Sequence, residues 1–359
     1  MVFAVARILA LTMCDSTGWP ALARSVTRQS DLQLCGLVST EENQRGTIIR
    51  CRHRGAISCP TPTSKECRVT ASTTLRLIFP QWQGGDNPVY QLGAQLSAWL
   101  APPSDAISIE VPVESPDGDP LLLEDGVVAK SAVLRQNAAA AAIIRSADPD
   151  RIVTFGGDCS VSLAPFSFLS EKFAGDVAVL WIDSHTDMST SATYSRAHGY
   201  PARNLLGLGD PEFAAFATTP VPTNRLAYVG IKADRLRPDA RTELAEWGVP
   251  LFDPDLLSSS HDEVLSWARE TGASRLLVHF DLDSLDPVSF RSQLFTDPTG
   301  ALDPAYTDIQ RGRLHLHQVV SLLQHLGEEI DITALSITEH LPWDAENLRT
   351  AFSKLPIMR

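Results

Sequence analysis

From Leu75 onward the chain repeats one pattern: a short, largely apolar run rich in β-branched residues, then a longer stretch of helical periodicity. The runs are Leu75–Phe79, Ile107–Val111, Arg151–Phe155, Val177–Ile182, Arg225–Val229, Arg275–Phe280 and Ala334–Ile337. A strand with one wet face alternates polar and apolar residues. These runs are continuous instead, which suits strands covered on both faces in a parallel sheet between helical layers. Ser131–Arg145, Arg241–Trp247, His261–Glu270 and Leu316–Leu326 have the spacing of covering helices. The Pro-, Gly- and Asp-rich segment Glu114–Pro120 reads as a surface loop. The expectation is one α/β domain over residues 73–359 with a mostly parallel central sheet.

Residues 1–72 differ in composition. Arg and Lys outnumber Asp and Glu there, although the whole chain carries a net charge of −13. Basic, Ser/Thr-rich and acid-poor is the profile of an organelle transit segment, and Val2–Met13 also resembles a short secretory apolar region. A start-site artefact is a third reading. The segment is expected to be a poorly ordered, non-catalytic leader; the protein is expected in the cytoplasm, or in mitochondria if the leader is a transit segment. Cys14, Cys35, Cys51, Cys59 and Cys67 fall within it without a CxxC pair, which argues against a zinc module. Only Cys159 lies beyond. The acidic balance, with pI near 5.1, argues against nucleic acid or an anionic membrane as partner. No apolar run reaches the roughly 18 residues of a spanning helix.

Polar residues gather where the apolar runs end. Gly156-Gly157-Asp158-Cys159-Ser160 follows the third run, Asp183-Ser184-His185-Thr186-Asp187 the fourth, Asp281-Leu282-Asp283-Ser284-Leu285-Asp286-Pro287 the sixth and Thr338-Glu339-His340 the last. Ligands of open parallel sheets bind at those strand ends. In extended chain, residues two apart point to the same side, so Asp183, His185 and Asp187 would converge, as would Asp281 and Asp283. Carboxylates so crowded repel one another unless cations neutralise them. Oxygen donors with an imidazole suit a hard or borderline divalent ion such as Mn²⁺. Acids that merely cap the following helices are the plainer alternative.

The ordered set GGDxS, DSHTD, HG(Y)P, HFDLDSLDP and TE, spread over about residues 75–345, resembles the arginase/agmatinase (ureohydrolase) family. The resemblance implies a three-layer α/β/α fold, two manganese ions per subunit, and hydrolysis of a small guanidino or formimino compound to urea or formamide by water activated between the metals. It implies bridging roles for Asp183 and Asp281, with Asp187 and Cys159 completing one metal site and His185 and Asp283 the other. It assigns proton transfer to His198, orientation of the substrate cation to Glu339, a hydrogen bond from the attacking water to Asp187, and supporting roles to Asp158 and Asp286. Homo-oligomers, trimers or hexamers, are common in that family.

Some positions depart from the family pattern. Cys159 stands where histidine is usual, and a soft thiolate shifts preference from Mn²⁺ towards Zn²⁺, Fe²⁺ or Co²⁺. A different metal, a weakly held first metal, or a buried apolar Cys159 beside a single ion are all open. Among expected substrate contacts, Ser189 and Tyr194 replace an asparagine and a serine, Asp234 stands where more acids are usual, and His340-Leu341-Pro342 follows Glu339. These departures argue against L-arginine and leave agmatine, a guanidino acid or a formimino compound equally open. A catalytically silent relative with a binding or assembly role, and a zinc amidohydrolase or deacetylase of related architecture, are the competing readings.

Overall fold

All seven apolar runs become strands of one eight-stranded sheet. In the computed structural model, which describes residues 38–43, 46–51, 72–258, 260–300 and 309–358, these are β1 (Thr74–Phe79), β2 (Ile107–Glu110), β3 (Arg151–Gly156), β4 (Ala178–Ile182), β5 (Leu226–Val229), β6 (Leu251–Phe252), β7 (Arg275–Asp281) and β8 (Asp331–Thr338). Their order is β6-β5-β4-β7-β8-β3-β1-β2, and every neighbouring pair is parallel. β6 was missed because two residues carry no periodic signal.

The helices that bear on the core are α1 (Val89–Leu100), α2 (Lys130–Ala147), α3 (Leu163–Lys172), α4 (Pro238–Glu246), α5 (Asp262–Glu270), α6 (Leu316–Glu329) and α7 (Trp343–Lys354). β4 shows why its sequence does not alternate. Val179 and Trp181 pack with Val133 and Ile144 of α2 and Phe166 of α3, while Ala178, Leu180 and Ile182 pack with Val264 and Trp267 of α5 and Leu322 of α6. Both faces are covered, giving the three-layer α/β/α arrangement. β2 is the exception: it pairs only with β1, and Ile107 is 62% exposed. The expectation of two covered faces fails there because β2 is the sheet edge.

Within the expected leader, Val38–Asn43 and Gly46–Cys51 form an antiparallel hairpin. Its residues 1–37, 44–45 and 52–71, with Cys14, Cys35, Cys59 and Cys67, lie outside the described residues. Among the described residues no helix is long and apolar enough to cross a membrane.

The order of the central strands positions the site. β4, β7, β8 and β3 are adjacent, so residues far apart in sequence are delivered to one sheet edge: Asp183 just after β4, Asp281 at the end of β7, Glu339 after β8 and Cys159 after β3.

Candidate metal centre

The local geometry at these strand ends differs from the extended chain assumed above. β4 stops at Ile182, residues 183–185 bend, and Asp187 has φ +48°. After β7, Leu282–Ser284 is a 3-10 turn. Convergence therefore comes from turns, not from strand alternation. Asp281 accepts from the backbone N–H of Asp283 at 2.7 Å and Asp158 from that of Ser160 at 3.0 Å, so these acids do cap their turns while facing inward. Glu339 also has a positive φ, +61°. Left-handed backbone costs a non-glycine residue on the order of 1 kcal/mol, and such strain concentrates at functional sites.

The acids are buried: Asp183, Asp187, Asp281, Asp283 and Glu339 are all at most 8% exposed. Asp183 accepts from Trp181 Nε1 at 3.1 Å and from the backbone N–H of His185 at 2.8 Å. His185 Nε2 lies 3.1 Å from the carbonyl of Gln310, which can only accept, so Nε2 carries the proton. Nδ1 then faces Asp183 and Asp283 at 3.4 and 3.3 Å. Ser184 Oγ donates to Asp283 at 3.0 Å. Cys159 Sγ lies 2.8 Å from Asp281 Oδ2, 3.6 Å from Glu339 Oε1 and 3.7 Å from Thr338 Oγ1.

Without a cation this arrangement is electrostatically unfavourable. Burial pushes the Asp183 carboxyl up to about 6, the charge of Asp283 adding to it. Burial, then the charge of Asp183, raises Asp187 well above the usual range; burial and the charge of Asp283 do the same to Asp281. At Asp283 burial also pushes upward, but His185 and Ser184 outweigh it and hold the carboxyl below its ordinary value. Burial lowers His185, but Asp283 and Asp183 outweigh that and raise it well above 6.5.

The residues present fit metal ions. Asp187 Oδ2 is buried without a hydrogen-bond partner among the described residues, a costly state for an acceptor. Three sets of donors have ligand atoms within 4.8 Å of one another: Asp183, His185 and Asp283; Cys159, Asp183, Asp187 and His279; and Cys159, Asp281 and Glu339. Carboxylates, imidazoles and one thiol form a donor set for borderline divalent ions.

His198 and Glu339 meet beside this cluster, His198 Nδ1 lying 3.1 Å from Glu339 Oε1. Burial lowers His198 to about 3, with the charges of His185 and Arg196 assisting, and burial raises Glu339 well above its usual range. Tyr194 hydroxyl lies 2.9 Å from His198 Nε2, so its side chain meets the histidine. Asp158 reaches the same place indirectly: it accepts from Gly85 N–H at 3.2 Å, and the Gly84 carbonyl accepts from His198 N–H at 3.1 Å. Ser189 is tied to Gly199 through its backbone at 2.8 Å. Asp286 accepts from Val288 N–H at 2.7 Å and shapes its own turn, so its expected support of the ligands is not through a side-chain contact with them. Asp234 lines, with Lys232, Arg235, Asp286, Gln310 and Arg311, a groove of about 950 Å³.

Two site residues escaped the sequence reading. His279 stands two residues before Asp281, a spacing that could have flagged it. Tyr90, on α1, had no sequence signal; its hydroxyl donates to Glu339 Oε2. Gly93 lets α1 approach, since a Cβ there would stand 1.7 Å from the His340 carbonyl oxygen. Gly93→Ala is expected to destabilise the fold by about 1–3 kcal/mol, as overpacking does. Chemical denaturation of the metal-free protein measures this, and an unchanged midpoint would contradict the close approach.

Comparison with known proteins agrees with this architecture. The model of the Arginase family matches residues 104–358. The arginase of Eremothecium gossypii is 25% identical over 200 residues, 53% of this chain and 46% of its own, so the chain spans just under half the length of that relative. An Entamoeba histolytica arginase solved with L-ornithine superposes with TM-score 0.62 at 17% identity, covering 76% of this chain and 92% of its own. Formimidoylglutamase from Bacillus subtilis superposes with TM-score 0.55 at 15% identity, covering 76% and 80%. At such identities the superpositions speak for the fold.

Proposed function

Because the chain belongs to the arginase family, we propose that it is a metal-dependent hydrolase of a C–N bond in a small guanidino or formimino compound. The carrying observation is the cluster of buried Asp183, Asp187, Asp281 and Asp283 with the partly buried His185 and the unpartnered Asp187 Oδ2. Asp183 and Asp281 would bridge two divalent ions, Mn²⁺ first, with Zn²⁺, Fe²⁺ or Co²⁺ as alternatives given Cys159. His185 and Asp283 would hold one ion and Asp187 the other. When bound, such a pair supplies Lewis-acid activation of water, lowering its pKa towards ~7.

The protein's own groups do the rest. Asp187 accepts a hydrogen bond from the attacking water. Glu339, steered by Tyr90, holds the amidinium cation of the substrate with its carbon facing that water. Water oxygen adds to this carbon, the C–N bond breaks, and the departing amine takes a proton, a transfer suited to His198. Tyr194, on His198 Nε2, keeps the ring in place. Urea leaves from a guanidino substrate and formamide from a formimino one. Asp234 and the groove it lines would receive the non-reacting end of the substrate, and Ser189 would contact it beside Tyr194.

Elemental analysis of the purified protein, coupled to urea, formamide and ammonia assays over a guanidino and formimino panel, tests this. The expected result is stoichiometric metal and turnover of one substrate class. Substoichiometric metal with no turnover after loading with Mn²⁺ or Zn²⁺ would leave a silent relative with a binding or assembly role.

A further inference from the structure

Position 159 lacks the imidazole that the family motif places there, yet an imidazole faces the same cluster from a different strand. His279 lies on β7 two residues before Asp281, on the same strand face. It is fully buried, and its ring stacks on Trp181 at 3.7 Å with an interplanar angle of 9°. Trp181 is its register partner on β4 and also donates to Asp183, so one side chain fixes both a carboxylate and the histidine ring. His279 Nδ1 lies 2.8 Å from Ser162 Oγ, at the start of α3. Nε2 points to the strand ends, 3.4 Å from Thr338 Oγ1 and 3.9 Å from Asp183 Oδ2. A ligand nitrogen of His279, Cys159 Sγ, and one oxygen each of Asp183 and Asp187 lie within 4.8 Å of one another.

We infer that His279 is a metal ligand through Nε2, supplying from β7 the nitrogen that is missing at position 159. This rests on the metal-centre reading above. A ligating histidine normally commits its other nitrogen to a hydrogen bond that fixes tautomer and ring orientation, and the Ser162 contact at Nδ1 is placed to do that. Asp187 Oδ2, buried and without a hydrogen-bond partner among the described residues, belongs to the same donor set. With His279 ligating, this ion has nitrogen and oxygen donors like its neighbour. Cys159 then remains a neutral thiol that donates to Asp281 instead of binding the ion as a thiolate.

The test loads the full-length protein with Zn²⁺ or Mn²⁺ and measures metal content, affinity and coordination. In His279→Gln, content is expected to fall from about two ions per chain to about one, with affinity for the lost ion reduced more than the ~10–100-fold typical of outer partners. Cys159→Ser should keep both ions. X-ray absorption on Zn²⁺-loaded wild type guards against a misfolded variant: the expected first shell holds nitrogen and oxygen at about 2.0–2.2 Å and no sulfur near 2.3 Å. Full metal content and affinity in His279→Gln, or a sulfur scatterer in wild type with loss of an ion in Cys159→Ser, overturns the inference and leaves the centre standing. Wild type that binds neither metal overturns the centre and this inference together.

Discussion

Asp187→Asn should make the metal-free protein more stable and the loaded protein inactive. Asp187 is 8% exposed, one carboxyl oxygen has no hydrogen-bond partner among the described residues, and neighbouring carboxyls crowd it. Burial and the charge of Asp183 raise its pKa well above the usual range. An amide of the same size carries no charge, and relief of about 1–3 kcal/mol is the scale of one unsatisfied buried group. The pH dependence has a definite sign. A carboxyl whose pKa is higher folded than unfolded contributes stability that is fully present below its unfolded value and lost as pH rises through the folded one. For Asp183, raised by burial to about 6, that loss spans roughly pH 4 to 6. The contribution of Asp187, raised likewise, is lost as pH rises through its folded value, so melting in chelator should separate variant from wild type increasingly as pH rises. Metal ions compete with the same protons, so adding Mn²⁺ should restore wild type at neutral pH and leave the variant little changed. Turnover should fall at least about 10²-fold. A variant that melts lower than wild type in chelator would show that the Asp187 carboxylate is satisfied by something other than a metal.

The parallel sheet was legible because buried strands need continuous apolar runs, and seven such runs are present. The edge was not: Ile107 is as apolar as any core residue, and only the neighbour count of β2 makes it exposed. At the site, Asp183, His185 and Asp187 were identifiable because they share one short motif at a strand end, and Asp281 and Asp283 because they share another. The reason first given for their convergence, extended backbone, was incorrect; bends and a left-handed Asp187 achieve it. Tyr90 could not have been found, since its role depends on α1 packing against the turn after β8, a contact between residues 249 apart in the chain. His279 stands inside the HFDLDSLDP motif, which assigns it no role. Sequence spacing shows which face a side chain shares, not which of its atoms meets the neighbours.

Glu339→Gln separates the holding of substrate from the holding of metal. The side chain sits between Tyr90 and His198, on a backbone with φ +61° anchored by its N–H to the Gly157 carbonyl at 2.8 Å. Glutamine keeps this shape and one of the two acceptor oxygens. It cannot match the charge of an amidinium. Burial raises the Glu339 carboxyl well above its ordinary range, and a cation placed beside it favours the charged form. The variant is expected to fold, to bind metal at wild-type stoichiometry, and to lose about 10²–10³-fold in kcat/KM, the range for deleting one preorganised electrostatic contact. His198→Asn should instead lower kcat with KM nearly unchanged, because proton delivery follows binding. Turnover by Glu339→Gln within a few-fold of wild type would place the substrate cation elsewhere. Loss of a metal ion in the same variant would make Glu339 a ligand, consistent with its proximity to Cys159 and Asp281 and contrary to the role assigned here.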